Sequence, residues 1–262
     1  MITALSNPKV KDVAALQKKA ALRKEKGLFA AEGRRFVAEI PPERVVQAYA
    51  TPDFAESPEG RALCERLHPE TVSPEVMEKM SDTRSPQGIL ALVRMSDQKL
   101  CDLDPARGPL LILENVQDPG NIGTLFRTAE AAGSGGIVLS GDSADPYSPK
   151  VLRATMGAVF RLPFVIADDL PGTVRSLKEQ GVKIFAAHLK GENLYTEAAF
   201  PEKTAFLLGN EGNGLSEEIS ALADRLIRIP MEGKTESLNV AVAGALLLYE
   251  AMRRRICPPA SS

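Results

Sequence analysis

Tryptophan is absent from these 262 residues, and histidine and cysteine are scarce, at two and three. Cys64, Cys101 and Cys257 are odd in number and far apart, which gives no disulfide framework, and with His68 and His188 standing alone no zinc-ligand spacing can be drawn. No apolar run approaches the roughly 18 to 20 residues that cross a bilayer. The opening MITALSNPKV lacks the basic start and apolar middle of a signal peptide. The expectation is a cytoplasmic protein with no metal and no membrane association. No internal repeat or low-complexity segment is apparent, which removes solenoids. The G-x-x-x-x-G-K-[ST] P-loop and the G-x-G-x-x-G dinucleotide fingerprint are both missing, and this counts against an α/β enzyme of phosphoryl or hydride transfer.

What is present is 44% apolar content, ample for a packed core, over a length that fits two globular domains. The net charge of −2 conceals an asymmetry. Nine basic side chains fall between Lys9 and Arg35, against only Asp12, Glu25 and Glu32. A local basic surface fits a polyanionic partner, although a solvated helix face explains the same charges. Asn7 as cap and Pro8 at the first position open a helix that runs through VKDVAALQKKAALRKEK and stops at Gly27. RVVQAYA is a short apolar stretch and GILALVR reads as a strand, the two separated by a variable piece, residues 52–69, containing Pro, Gly and charge. Residues 1–94 therefore read as a small α/β domain and MSDQKLCDLDPARGP, 95–109, as a polar linker.

Over residues 110–257 short apolar runs alternate with helical patterns: LLIL, a helix over 121–132, GIVL, PFVIA, VKIFAAH, AFLLG and LIRIP. Such alternation predicts an α/β fold with a mostly parallel sheet and helices on both faces. The last helix, over 238–256, is apolar nearly all round and is expected to be buried between the sheet and something else, for which a subunit interface is one reading.

Three loops in this half carry chemistry. ENVQDPGNIGTLFRTAEAAG places a glycine-rich turn after a strand. Asn121 ahead of the helix and Arg127 within it could reach the crevice at the strand ends, or Asn121 could simply cap the helix. LLGNEGNGLS is a tight turn in which Ser216 can cap the next helix, and Glu211 argues against a phosphate nest. IPMEGKTESLNVAVAG is a flexible polar loop running into a helix opened by Ser237 and Asn239, and capping explains only Ser237.

NIGTLFRTAEAAG, LLGNEGNGLS and IPMEGKTESLNVAVAGALLLYE resemble, in order, the signature motifs of the SpoU/TrmH branch of the SPOUT RNA methyltransferases. RATMGAVFRLP resembles a further stretch between the first two, and SNPKVKDVAALQKKAALRKEKGLFAAEG resembles the family's RNA substrate-binding domain. Glu114, where the family often has Asp, and Thr155 and Met156 depart from the pattern without removing a catalytic group. The resemblance implies a C-terminal trefoil knot and S-adenosylmethionine as cofactor. Leu208, Gly209, Gly214, Ile229, Met231, Ser237 and Leu238 would hold it, an apolar slot with backbone polar groups suiting an adenine. It further implies Asn121, Arg127, Glu211, Ser237 and Asn239 as the catalytic set for methylation of a ribose 2′-hydroxyl. The family proposal that Arg127 takes a proton sits poorly with a guanidinium that holds its own to above about pH 12, so a phosphate clamp is the preferred role.

Lys18, Lys19, Arg23, Lys24, Arg34 and Arg35 are the expected RNA-binding side chains. With no Trp and four Tyr, shape and backbone contacts are expected to dominate. Ribosomal RNA is favoured as substrate, with transfer RNA as the alternative, and a homodimer through the C-terminal helix is expected. A catalytically silent RNA-binding protein of the same fold is the competing reading.

Overall fold

Residues 1–257 are described by a computed structural model. In chain order the elements are α1 (Pro8–Lys18), α2 (Ala20–Lys26), β1 (Leu28–Glu32), α3 (Arg34–Ala38), β2 (Val45–Ala50), α4 (Pro52–Glu56), α5 (Pro58–Leu67), β3 (Glu70–Thr71), α6 (Pro74–Met80) and β4 (Ile89–Arg94). They continue as β5 (Leu110–Leu113), α7 (Pro119–Ala131), β6 (Gly136–Ser140), α8 (Pro149–Thr155), α9 (Ala158–Arg161), β7 (Phe164–Ala167) and α10 (Leu170–Glu179). The last are β8 (Lys183–Ala187), β9 (Asn193–Leu194), β10 (Thr204–Leu208), α11 (Glu217–Ala221), β11 (Arg225–Arg228) and α12 (Val240–Ile256).

Many of the helices start from one local signal, a short polar residue followed by proline. Asn7-Pro8, Thr51-Pro52, Ser57-Pro58, Ser73-Pro74 and Asp118-Pro119 open α1, α4, α5, α6 and α7, and in each the polar side chain accepts a first-turn backbone N–H. The oxygen satisfies one orphan donor, and proline takes a position where no N–H is needed. The variable piece, 52–69, holds two helices for this reason.

The chain divides into two compact units, one formed by Met1–Asp97 with Asp145–Phe160, the other by Gln98–Ala144 with the chain from Arg161 onward. The first unit has a four-stranded sheet in the order β1-β4-β2-β3, antiparallel except for β2 with β3. Val10, Val13, Tyr49, Met77, Met80 and Leu90 are in its core.

The single basic helix expected over 8–26 is two helices. Lys19 is extended at φ −117 and ψ 104, which ends α1, and left-handed Gly27 ends α2. Arg23 explains how the break is tolerated. Its Nη1 donates to the carbonyls of Leu16, 2.6 Å, and Gln17, 3.3 Å, which the break strips of helical partners, while Nε donates to Asp145 Oδ2 at 2.9 Å. Only 4% exposed, Arg23 is a structural cation and is withdrawn from the expected RNA-binding set.

The second unit has a seven-stranded sheet in the order β7-β6-β5-β10-β8-β11-β9, every pairing parallel. β5 and β10 are buried along their whole length, as central strands covered on both faces must be. α12 packs on α7 and β10. Gly244 permits the close approach, since a Cβ there would lie 2.5 Å from Leu125 Cδ2.

Not all of α12 is covered: Val242, Tyr249 and Ile256 are 48%, 44% and 68% exposed. Among the described residues no helix is long and apolar enough to cross a membrane, and no His/Cys/Asp/Glu cluster could hold a metal.

Candidate active site

The three chemical loops leave the carboxyl ends of β5, β10 and β11. In an open parallel sheet these ends are where ligands bind.

The first loop differs from the sequence reading in one respect. Asp118, not Asn121, caps α7, accepting Asn121 N–H at 2.9 Å, and Pro119 starts the helix. Asn121 therefore sits inside the first turn rather than ahead of it, so its side chain is not engaged in capping.

The second loop is closed on itself by a backbone bridge in which Asn210 and Gly214 exchange N–H···O bonds of 3.0 and 2.9 Å. The bridge explains both glycines. A Cβ on Gly209 would fall 2.2 Å from the Gly214 carbonyl carbon, and Gly214 itself has φ +69. Asn210, which the sequence reading passed over, organises the turn: its Oδ1 accepts the N–H of Gly212 and Asn213, and its Nδ2 donates to Asn115 O at 2.8 Å. Glu114 takes Ser216 N–H at 2.8 Å and Ser216 Oγ–H at 2.6 Å, tying the far end of the loop to the end of β5.

Asn239 is the N-cap of α12, its Oδ1 accepting from Ala241 and Val242 N–H, and the helix starts at Val240 rather than at 238. Ser237 lies outside the helix, exposed, and has no hydrogen bond among the described residues.

These placements bring three of the five expected catalytic side chains into one chain of hydrogen bonds. Asn239 Nδ2 donates to Asn121 Oδ1 at 2.9 Å, and Asn121 Nδ2 donates to Glu211 Oε1 at 2.9 Å. Glu211 also accepts two longer bonds, 3.4 Å each, from Gln117 and Asp118 N–H. Its partial burial pushes its pKa up, but the Asn121 bond and the backbone donors outweigh this and hold it below the usual carboxylate value. Arg127 is exposed on α7, six residues beyond Asn121, with no hydrogen bond or ion pair among the described residues.

The residues expected to hold a cofactor fit an adenosyl group. Leu208 and Gly209 end β10, Ile229 and Met231 are half-buried, and Leu238 is 37% exposed. Among the described residues the backbone of residues 229–238 makes no hydrogen bond. Apolar side chains with unengaged N–H and C=O groups are what an adenine slot requires. In the first unit Lys18, Lys19, Lys24, Arg34 and Arg35 are exposed.

Residues 108–249 match the model of the SpoU rRNA methylase family, and 7–91 match the MRM3-like substrate-binding domain. The chain belongs to the SpoU rRNA methylase family. It is thus an RNA ribose 2′-O-methyltransferase, as the motifs implied. Over 252 residues it is 36% identical to the 23S rRNA (guanosine(2553)-2′-O)-methyltransferase RlmP of Bacillus subtilis, covering 95% of this chain and 97% of that one. Its fold superposes on the SpoU methyltransferase AviRb of Streptomyces viridochromogenes in complex with AdoMet with a TM-score of 0.88, at 28% identity, over 97% of this chain and 100% of that one. An AdoMet-bound rRNA methyltransferase from Sinorhizobium meliloti gives 0.85 at 32% identity, with 98% of both chains covered.

Proposed function

We propose that the protein transfers a methyl group from S-adenosylmethionine to the ribose 2′-hydroxyl of one nucleotide in 23S ribosomal RNA, in the cytoplasm. The observation that carries this reading is the bonded series Glu211–Asn121–Asn239, because it joins one residue from each of the three motifs at the carboxyl edge of the sheet. A silent RNA-binding module has no use for such a series.

Leu208, Gly209, Gly214, Ile229, Met231, Ser237 and Leu238 would hold the cofactor in this reading, the apolar members suiting an adenine and the loop backbone offering it polar groups. When bound, S-adenosylmethionine supplies the activated methyl group. The protein's task is alignment. Arg127, a fork of donors with no partner among the described residues, clamps the phosphate beside the target ribose and turns the 2′-hydroxyl toward the methyl group. Glu211, held ionised by its donors, has only one long bond to Oε2 among the described residues and so has capacity for a ribose hydroxyl. As the oxygen–methyl bond would form and the methyl–sulfur bond break, the 2′-oxygen would become acidic and pass its proton to solvent water, which asks no base strength of Arg127. Ser237 completes the set from the exposed polar loop before α12 by bonding to the same phosphate or ribose.

Lys18, Lys19, Lys24, Arg34 and Arg35 meet RNA phosphates in the domain proposed for residues 1–94, joined through 95–109 to the methyltransferase domain, 110–257. The trefoil knot is also proposed for the C-terminal segment, and the insertion of the late strand β10 between β5 and β8 supports it. A homodimer is proposed through α12. Val242, Tyr249 and Ile256 repeat every seven residues on its exposed face with Ala245 and Met252 between them, the spacing of a helix seam. A monomer on light scattering would overturn the dimer.

Mapping ribose methylation in total RNA with and without the gene tests the main reading. Loss at one 23S position is expected. Loss in transfer RNA would move the substrate, and loss nowhere would favour the binding module.

A further inference from the structure

The methyltransferase reading leaves one cleft of the first unit without a task. It has a volume of about 1080 Å³ and is lined by residues from four separated stretches, including Arg35 and Phe36, Glu59, Gln87, and Arg153 and Met156. Pockets for nucleotide-sized ligands run to roughly 1,000 Å³, so the space is far larger than a single ion needs.

Its chemistry is divided as a nucleotide is. Phe36, only 9% exposed, forms an apolar floor packed on Phe160, with ring centroids 5.2 Å apart. Met156 is 55% exposed and sits at φ +50, a left-handed conformation that costs a non-glycine residue energy and is kept only where surrounding structure enforces it. Met156 is the C-cap of α8, its N–H donating to Arg153 O, and the Arg153 side chain, one turn earlier, is pinned by Glu32 at 3.1 Å and Asp82 at 2.9 Å. Gln87 accepts Arg34 N–H through Oε1 at 2.9 Å, which fixes its amide, while Nε2 has no partner among the described residues and is a free donor for a base edge. Arg153 and Arg34 are neutralised by carboxylates, Arg34 by Glu59 at 2.7 Å. Arg35 makes no hydrogen bond or ion pair among the described residues; its charge acts on Glu59 only at a distance, which leaves its donors for a phosphate.

We propose that this cleft takes an unpaired nucleotide of the RNA substrate, its base against Phe36 and Met156, its edge on Gln87 and its phosphate on Arg35. Sequence-specific RNA recognition works on splayed-out bases of this kind. The first unit then selects the substrate by reading one base as well as by its basic surface. The proposal rests on RNA being the substrate, and it names where the first unit holds that RNA.

Full-length protein with transcribed 23S rRNA tests it in two ways that do not depend on methyl transfer. After ultraviolet crosslinking, nucleotide adducts are expected on peptides carrying Arg35–Phe36, Gln87 or Met156; adducts confined to other peptides overturn the proposal. The double variant Arg35→Ala, Met156→Ala should lose at least tenfold in RNA affinity, with S-adenosylmethionine affinity unchanged. RNA affinity equal to wild type would also overturn it. A parallel methylation assay separates the two readings. Adducts in the cleft without methyl transfer would refute the methyltransferase reading and leave the cleft standing, whereas methyl transfer without adducts there refutes the cleft alone.

Discussion

Replacing Asn121 by Asp turns the middle of the bonded series into a second carboxylate, 2.9 Å from Glu211 Oε1. At that separation two unit charges repel by about 1.4 kcal/mol at the dielectric of water and about 6 kcal/mol at an effective value of 20. Glu211 is exposed, so the lower half of the range applies. That is enough to keep one of the two carboxyl groups protonated well above the ordinary carboxylate range. Asn121→Ala instead removes two hydrogen bonds with no added charge. Water replaces them in part, and the stability loss should be about 1 to 2 kcal/mol, a fall in Tm of roughly 3 to 6 °C.

Both variants should lose about 100-fold in kcat, the usual result of misplacing reacting groups. They should differ in pH response, the Asp variant regaining activity as the pH is lowered and the Ala variant not. The assay is single-turnover methyl transfer to 23S rRNA between pH 6 and 9, with cofactor affinity measured separately. Equal, pH-independent losses in the two variants would refute the charge argument, and wild-type turnover in either would refute the positioning role.

Three further outcomes follow from the geometry. Gly209→Ala must open the Asn210–Gly214 bridge to relieve a 2.2 Å contact, and with two backbone bonds lost, at about 1 kcal/mol each, cofactor affinity by calorimetry should drop tenfold or more. Arg23→Met strands Asp145 and the end of α1 and should cost about 3 kcal/mol by urea titration, whereas Lys18→Met should cost almost nothing and show only as weaker, less salt-dependent RNA binding. Glu250, bonded to Arg253 and Arg254, has its pKa lowered to about 2 from 4.5. A lowered carboxylate pKa means a contribution present in full above the unfolded value and lost as the pH falls through the folded one. Denaturation midpoints of Glu250→Gln should therefore converge on wild type as the pH drops from 5 toward 2.

The parallel sheet was legible because its strands are short apolar runs separated by glycine and helical pattern, and the three motifs were legible because each joins a strand end to a helix. Helix starts were less so. Asn121 reads as a cap when the eye begins at the glycines, but Asp118-Pro119 carries the stronger signal, and the same Ser/Thr-Pro pairing would have disclosed α4 and α5. Arg23 could not have been separated from its basic neighbours, because the carboxylate that accounts for its burial, Asp145, is 122 residues away. Asn210 was missed for a similar reason: its partners are backbone groups, which leave no trace in residue identity.

Asn239 is both a helix cap and the end of the bonded series, and this fixes a direction. Backbone N–H groups can only donate, so the Asn239 oxygen must face α12 and its NH₂ must face Asn121. The Asn121 oxygen is then committed, and its NH₂ is delivered to Glu211. Neither amide can flip without leaving two like groups in contact, so the pair behaves as a ratchet set by the first turn of α12. Fraying of that one turn would free both amides to rotate and reach the carboxylate without any change in the residues around it.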